Sequence, residues 1–263
     1  MKRAFILLIT LLCILVTLDS LRSEEPEHVT ISIVYDSYAC GEGFETDWGF
    51  SCVIAGAEKT ILFDTGKRGE TLIHNLKKIQ ILPKEIDLIV ISHDHEDHTG
   101  GLLPYLKKNN KVTVFLPPSF AQESVESVKG TGANTMIVNE PMEICKNIFV
   151  TGEAENVIEQ SLFLRTSKGI VIVTGCAHPG IVNIANRVKG IIDEKIYLVL
   201  GGLHLFMEAD DEIKNTVNGL HELGIMKVAP CHCTGAKALQ MFEDVYGENF
   251  IKVGVGKILK ISP

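Results

Sequence analysis

Six of the chain's nine histidines come directly after apolar runs, and three of those six fall within six consecutive residues. The dense stretch is SHDHEDHTGG, residues 92–101, in which His93, His95, Asp97 and His98 stand beside two more carboxylates, Asp94 and Glu96. Imidazole nitrogen with some carboxylate oxygen suits zinc, and also iron or manganese. One ion cannot take all four groups from so short a segment without strain. Two neighbouring ions can, with His93 and His95 on one and Asp97 and His98 on the other. Further along, CAHPG follows GIVIVTG and supplies Cys176 and His178. His204 follows IYLVLGGL, and His232 follows MKVAP. In open α/β sheets, ligands bind beyond the carboxyl ends of the strands. Histidines repeated at that kind of position predict one shared pocket. His28, His74 and His221 lack the setting and read as ordinary surface or core histidines.

The elements that must position these groups are legible in the hydropathy pattern. HVTISIVYDS alternates as a strand, and WGFSCVIAGAEKTILFDTG reads as two strands about a glycine-containing turn. RGETLIHNLKKIQI has helical spacing, with Pro83 expected to end it. IDLIVIS is a nearly continuous apolar run, so a strand covered on both faces. TGGLLPYLKK starts a helix and KVTVFLPP is another strand. The middle is less regular, with a helix near SFAQESVESVK and short strands around TMIVNE, NIFVTGE and SLFLRT. From KGIVIVTG onward strands and helices alternate, which implies parallel strands with helical crossovers. The whole predicts an α/β fold, a mixed sheet assembly with helices outside.

Residues 1–23 are set apart. Lys2 and Arg3 precede an apolar run from Ala4 to Leu18 that is shorter than the roughly 20 residues of a membrane span. The pattern reads as a secretory signal peptide or an uncleaved N-terminal anchor, leaving residues 24–263 as the folded domain. The expected location is therefore exported, periplasmic or extracellular, or membrane-anchored through the N-terminus alone. The formal net charge of -8, with no basic block, excludes broad contact with nucleic acid and leaves a small molecule, anionic ones included, as the partner. The cysteines show no dense disulfide framework. Cys231 and Cys233 are too close to bond each other easily and read as packing residues or partners for other cysteines. Trp48, the single tryptophan, reads as core packing ahead of a pocket wall. Lys67–Gly69 reads equally as a solvated turn or a phosphate contact.

SHDHEDHTGG resembles the H-x-H-x-D-H motif of the metallo-β-lactamase superfamily, and LFDTG resembles the Asp-bearing strand end that precedes it. TGCAHPGIVNI, GGLHL and PCHCTG are similar to the subgroup named for 7,8-dihydropterin-6-yl-methyl-4-(β-D-ribofuranosyl)aminobenzene 5′-phosphate synthase. The resemblance covers roughly residues 28–260. It implies a metallo-β-lactamase-like αββα sandwich with two divalent metal ions, zinc foremost, at the sheet edge. On that basis His93, His95, Asp97 and His98 match the shared motif, His232 the final ligand histidine, and Asp64 a carboxylate that orients a ligand histidine. His178 is the candidate for the third histidine by order. Cys176 falls where a bridging Asp usually stands, with a buried structural cysteine as the alternative. His204 has no counterpart in the commonest members; metal contact, phosphate contact and proton donation are all open to it.

Two ions a few ångströms apart would lower the pKa of a bound water from 15.7 to roughly 7. The expected function is a metal-dependent hydrolase that uses the resulting hydroxide on a small ester, lactone or phosphoester. Asp97 would orient the nucleophile and His204 would serve as an outer acid. The subgroup's name implies instead a synthase-like transferase that joins a pterin precursor to a phosphoribose. An exported protein would not meet cytoplasmic pterin intermediates, which favours the hydrolase. A third reading is a non-catalytic metal-dependent binder or sensor.

Overall fold

The computed structural model describes residues 28–153 and 158–262, so the expected signal or anchor lies outside the described residues. Two sheets face each other. The first runs in the order β13-β1-β2-β3-β4-β5-β6. Its members are β1 (Val29–Tyr35), β2 (Ser51–Ala55), β3 (Ile61–Phe63), β4 (Leu88–Val90), β5 (Thr113–Leu116), β6 (Asn134–Ile137) and β13 (Ile258–Ile261). The second runs β12-β11-β10-β9-β8-β7. It contains β7 (Met142–Cys145), β8 (Ile148–Val150), β9 (Leu162–Thr166), β10 (Gly169–Thr174), β11 (Ile196–Gly202) and β12 (Lys227–Cys231).

Period-two alternation divides the apolar residues into three layers. Ile33, Ile54, Phe63 and Val90 point inward from the first sheet and meet Val171, Val173, Leu198 and Leu200 from the second. The intervening residues Val53, Leu62 and Ile89 turn outward against Leu72 and Leu76 of α1 (Gly69–Lys78). Ile170, Ile172 and Val199 turn outward beneath α5 (Ile181–Ile191), α6 (Asp210–Glu222) and α7 (Ala236–Tyr246). The result is the αββα sandwich that the sequence predicts. β3, β4, β5 and β6 are mutually parallel, as are β10, β11 and β12. Their carboxyl ends therefore deliver several turns to one edge.

Two sequence expectations are corrected. Pro83 does not end α1; the helix stops at Lys78, and Gln80 takes a left-handed φ of 63° before Pro83 starts a short 3-10 turn. The final apolar stretch is strand only at Ile258–Ile261. Among the described residues no helix is long and apolar enough to cross a membrane.

Between β4 and β5 lie α2 (Glu96–Thr99) and α3 (Leu102–Leu106), joined by Gly100–Gly101. The glycines allow backbone to lie on backbone. A Cβ on Gly100 would stand 2.1 Å from the Lys67 carbonyl oxygen, and one on Gly101 would stand 2.2 Å from that of Thr65. The loop after β3 thus presses against the loop after β4, and the Thr65 amide and hydroxyl both donate to the His98 carbonyl at 2.8 Å. Gly101→Ala is expected to cost about 1–3 kcal/mol in urea denaturation. Gly130→Ala, at the end of α4 (Gln122–Gly130) with nothing within 4 Å of the added carbon, is expected to change stability by less than about 1 kcal/mol. Equal effects at the two positions would contradict the close-approach account.

Candidate metal centre

β4 ends at Val90, and the chain leaves it through Ile91, Ser92 and His93. β10 delivers Cys176 and His178, β11 delivers His204, and β12 delivers His232 and Cys233. These turns converge. The His93, His95 and His178 rings lie within 4.6–5.0 Å of one another, centroid to centroid. The His98 and His232 rings are 5.1 Å apart. Asp97 places Oδ2 between that pair, 3.6 Å from His98 Nε2 and 3.3 Å from His232 Nε2. Cys176 joins both groups. Its sulfur belongs with His93 and His178 on one side and with His98 and His232 on the other, each trio having its donor atoms within 4.8 Å. The His204 ring lies 4.5 Å from that of His178, tilted by 50°, and is on the solvent side.

A hydrogen-bond network fixes which nitrogen each ring presents. Asp64 is fully buried and accepts from the Ser92 amide, the Ser92 hydroxyl and His98 Nδ1, each at 2.7 Å. Because the Ser92 hydroxyl donates to Asp64, it accepts from His93 Nδ1 at 2.9 Å. Both rings then carry their proton on Nδ1 and turn the Nε2 lone pair inward. Glu159 does the same for His178. It accepts from His178 Nδ1 at 2.8 Å and from the amides of Cys176, Ala177 and His178 at 2.9 Å. Gly175 makes room for the network, since a Cβ there would stand 2.2 Å from Ser92 Oγ.

The charges follow. Burial pushes Asp64 up to about 7, against the pull of its hydrogen bonds. Burial, then the neighbouring His98, takes His93 down to about 3; burial, then His232, does the same to His98. Both rings are free bases at neutral pH. Although burial opposes it, charge on Asp97 is held by His232 and His98, well below the usual carboxylate range. Glu159 is likewise kept ionised against its burial, chiefly by His178 and His93. His232 resists burial through Asp97 and its pKa is raised. Its Nδ1 is buried without a hydrogen-bond partner, Nε2 faces Asp97 Oδ2 at 3.3 Å, and its backbone N–H donates to the buried Asp36. Inward lone pairs, an ionised carboxylate, a buried sulfur and an unpartnered imidazole nitrogen form a donor set that fits divalent cations.

The backbone is strained at the same place. Asp64, Ala177, His204 and His232 all have φ between 49° and 59°. Left-handed backbone at a non-glycine residue costs of order 1–2 kcal/mol, so the surrounding contacts must hold it.

All the site residues named from sequence are thus brought to one edge. Trp48 is a correction: it is not core but 43 % exposed, packed 4.9 Å from the His232 ring and 5.6 Å from Phe206. A lone aromatic before a strand reads as core, and only the tertiary arrangement puts it on a rim. The Lys67–Gly69 turn is solvated, with Arg68 paired to Asp47 at 2.7 Å and Lys67 to Glu96 at 3.6 Å. Glu159, Ser92 and Asp36 were missed, and only the serine, next to His93, had a sequence signal.

Residues 49–159 match the Metallo-beta-lactamase superfamily. A curated relative from Methanocaldococcus jannaschii, 7,8-dihydropterin-6-methyl-4-(beta-D-ribofuranosyl)-aminobenzene-5'-phosphate synthase, is 33% identical over 287 residues, covering 89% of this chain and 97% of that protein. A solved structure described as a metal-dependent hydrolase of the beta-lactamase superfamily shares 30% identity at a TM-score of 0.78, covering 90% of this chain and 100% of that one. The metallo-β-lactamase fold protein YhfI from Bacillus subtilis, at 10% identity and a TM-score of 0.64, shares the fold. The chain belongs to the metallo-β-lactamase superfamily.

Two outcomes are expected. Glu159→Gln should weaken zinc binding by about 10–100-fold, read by competition with a chromophoric chelator, because His178 loses the group that orients it. A cation that takes His232 must also expel its proton, so zinc affinity should rise from about pH 6 to about pH 8. Calorimetry in buffers of different ionisation enthalpy should show proton release that declines over that range, and less release in His232→Ala. Release that does not change with pH would contradict the raised His232.

Proposed function

We propose that this chain is a metal-dependent hydrolase of small esters, lactones or phosphoesters. The observation that carries the reading is the pair of imidazole groups joined at Cys176: His93, His95 and His178 would hold one cation, and Asp97, His98 and His232 a second. Divalent cations bound there would supply Lewis acidity, polarising an ester or phosphoryl oxygen and acidifying water. Zinc suits this nitrogen-rich set, and iron or manganese would also be accepted.

The chain's own groups do the rest. Asp97 Oδ2 is ionised and part-exposed, between His98 and His232, so it can orient an attacking water. His204 is the candidate proton donor to the leaving group. Its pKa is raised, first by its hydrogen bond to Cys233, and it sits on the open side of His178. Trp48 and Phe206 wall the mouth and limit water around a bound substrate. The solved relative described as a metal-dependent hydrolase supports this reading.

A second reading has its own support. The identity to the pterin-related synthase extends over 97% of that protein, which favours a transfer reaction on a related substrate at the same residues.

The test is turnover of bis-p-nitrophenyl phosphate and a lactone panel by protein loaded with zinc, manganese or iron. Asp97→Asn is expected to lower the rate by about 10²–10⁴-fold, and His95→Ala should lose metal and activity together. Metal-loaded protein that hydrolyses none of these, but forms the product named for the synthase, would replace the hydrolase reading with the second. No turnover in either assay would favour a metal-dependent binder.

A further inference from the structure

We propose that Cys176, His204 and Cys233 form a thiolate-rich cation subsite of their own, selective for a soft d10 ion such as zinc, cadmium or copper(I). It takes from the histidine-lined site the Cys176 sulfur and also His204, the proposed proton donor, so a filled subsite removes His204 from that role; it does not require the histidine-lined site to be catalytic.

The two sulfurs stand 3.3 Å apart, although they lie 57 positions apart in sequence. Two thiolates on one tetrahedral ion with bonds of about 2.3 Å would stand roughly 3.7 Å apart, so a shift of a few tenths of an ångström would seat them. A ring nitrogen of His204 completes the trio, with all three donor atoms within 4.8 Å of one another. The sulfurs are buried, while the His204 side leaves an entry from solvent.

The surroundings are built around Cys233. Its sulfur donates to the Cys176 sulfur at 3.3 Å and accepts from the His204 backbone N–H at 3.3 Å, with a His204 ring nitrogen close by. Its carbonyl accepts from the Leu205 and Phe206 amides at 3.1 and 3.2 Å, and the Leu203 amide donates to Thr234 Oγ1 at 3.2 Å. The turn carrying His204 is therefore laced to the turn carrying Cys233. His204 is held in left-handed backbone, φ 52°, which aims the ring back at the sulfur. Gly202 keeps the space open, since a Cβ there would stand 2.7 Å from Cys233 Sγ. A sulfur set beside a second thiol, an imidazole nitrogen and an amide donor, with a cleared approach, suits a thiolate that binds metal better than a cysteine that only fills space. On loading, each thiol gives its proton to solvent and takes a bond to the cation, with no change in oxidation state.

The test is anaerobic titration of the full chain with cadmium, following thiolate-to-cadmium charge-transfer absorption. A Cys40→Ser background removes the one exposed thiol among the described residues. Cys233→Ala should lower the absorption to roughly half, Cys176→Ala should do at least as much, and His204→Ala should weaken cadmium binding by about tenfold. His95→Ala should leave the absorption intact, which separates this subsite from the histidine-lined one. If Cys233→Ala does not fold, Cys233→Ser and Gly202→Ala replace it, and both should reduce the band. Absent absorption, absorption unchanged by the Cys233 and Gly202 variants, or absorption lost with His95→Ala would each overturn the proposal. Intact absorption in a protein with no hydrolytic activity would retain the subsite and remove only the hydrolase reading.

Discussion

The site depends on two buried carboxylates that are prevented from relaxing. Asp64 sits in the loop after β3 and Glu159 just before β9, and each is almost wholly removed from water. An unpaired carboxylate there would cost several kcal/mol. Each is instead surrounded by donors. Asp64 collects Ser92 and His98, while Glu159 collects three successive amides, the His178 ring and the Thr174 hydroxyl. Those donors belong to the turns that carry the imidazoles. The interactions that offset the burial of charge therefore also set ring orientation, and the inward lone pairs follow from satisfying the carboxylates.

The sandwich makes such an arrangement reachable. Parallel strands in both sheets end at one edge, and inward-facing residues from β3, β4, β10 and β11 lock the sheets face to face. The segment with Glu159 is tied across to the first sheet: the Gln160 amide donates to the Ser92 carbonyl at 2.9 Å, and its side chain donates to that of Ile91 at 2.8 Å. The turns can then afford left-handed backbone at Asp64, Ala177, His204 and His232, because packing and hydrogen bonds hold them from several sides.

How much of this was legible follows from how local each signal is. HDHEDH concentrates its donors in one segment, after an apolar strand and before a glycine pair, so neither its chemistry nor its position needed tertiary information. The strand-end placement of His178, His204 and His232 was legible for the same reason. Glu159 was not, because nothing around it in sequence distinguishes it from a surface glutamate; its partners begin 15 residues later. Asp36 meets His232 across 196 positions. Cys233 read as a packing residue or a partner for another cysteine, and which cysteine was not legible because Cys176 lies 57 positions away. The fold was legible in its alternation of elements. The end of α1 was misplaced because Pro83 is a visible stop, whereas the left-handed turn at Gln80 leaves no mark in residue type.

The account stands on the convergence of distant turns into one cation-holding cage. Anomalous diffraction at the zinc edge, from crystals grown with zinc, tests that most directly. It should place zinc among His93, His95 and His178, with further density between Asp97, His98 and His232. Zinc found only on surface side chains, with these rings still turned toward one another and no anomalous signal among them, would contradict it.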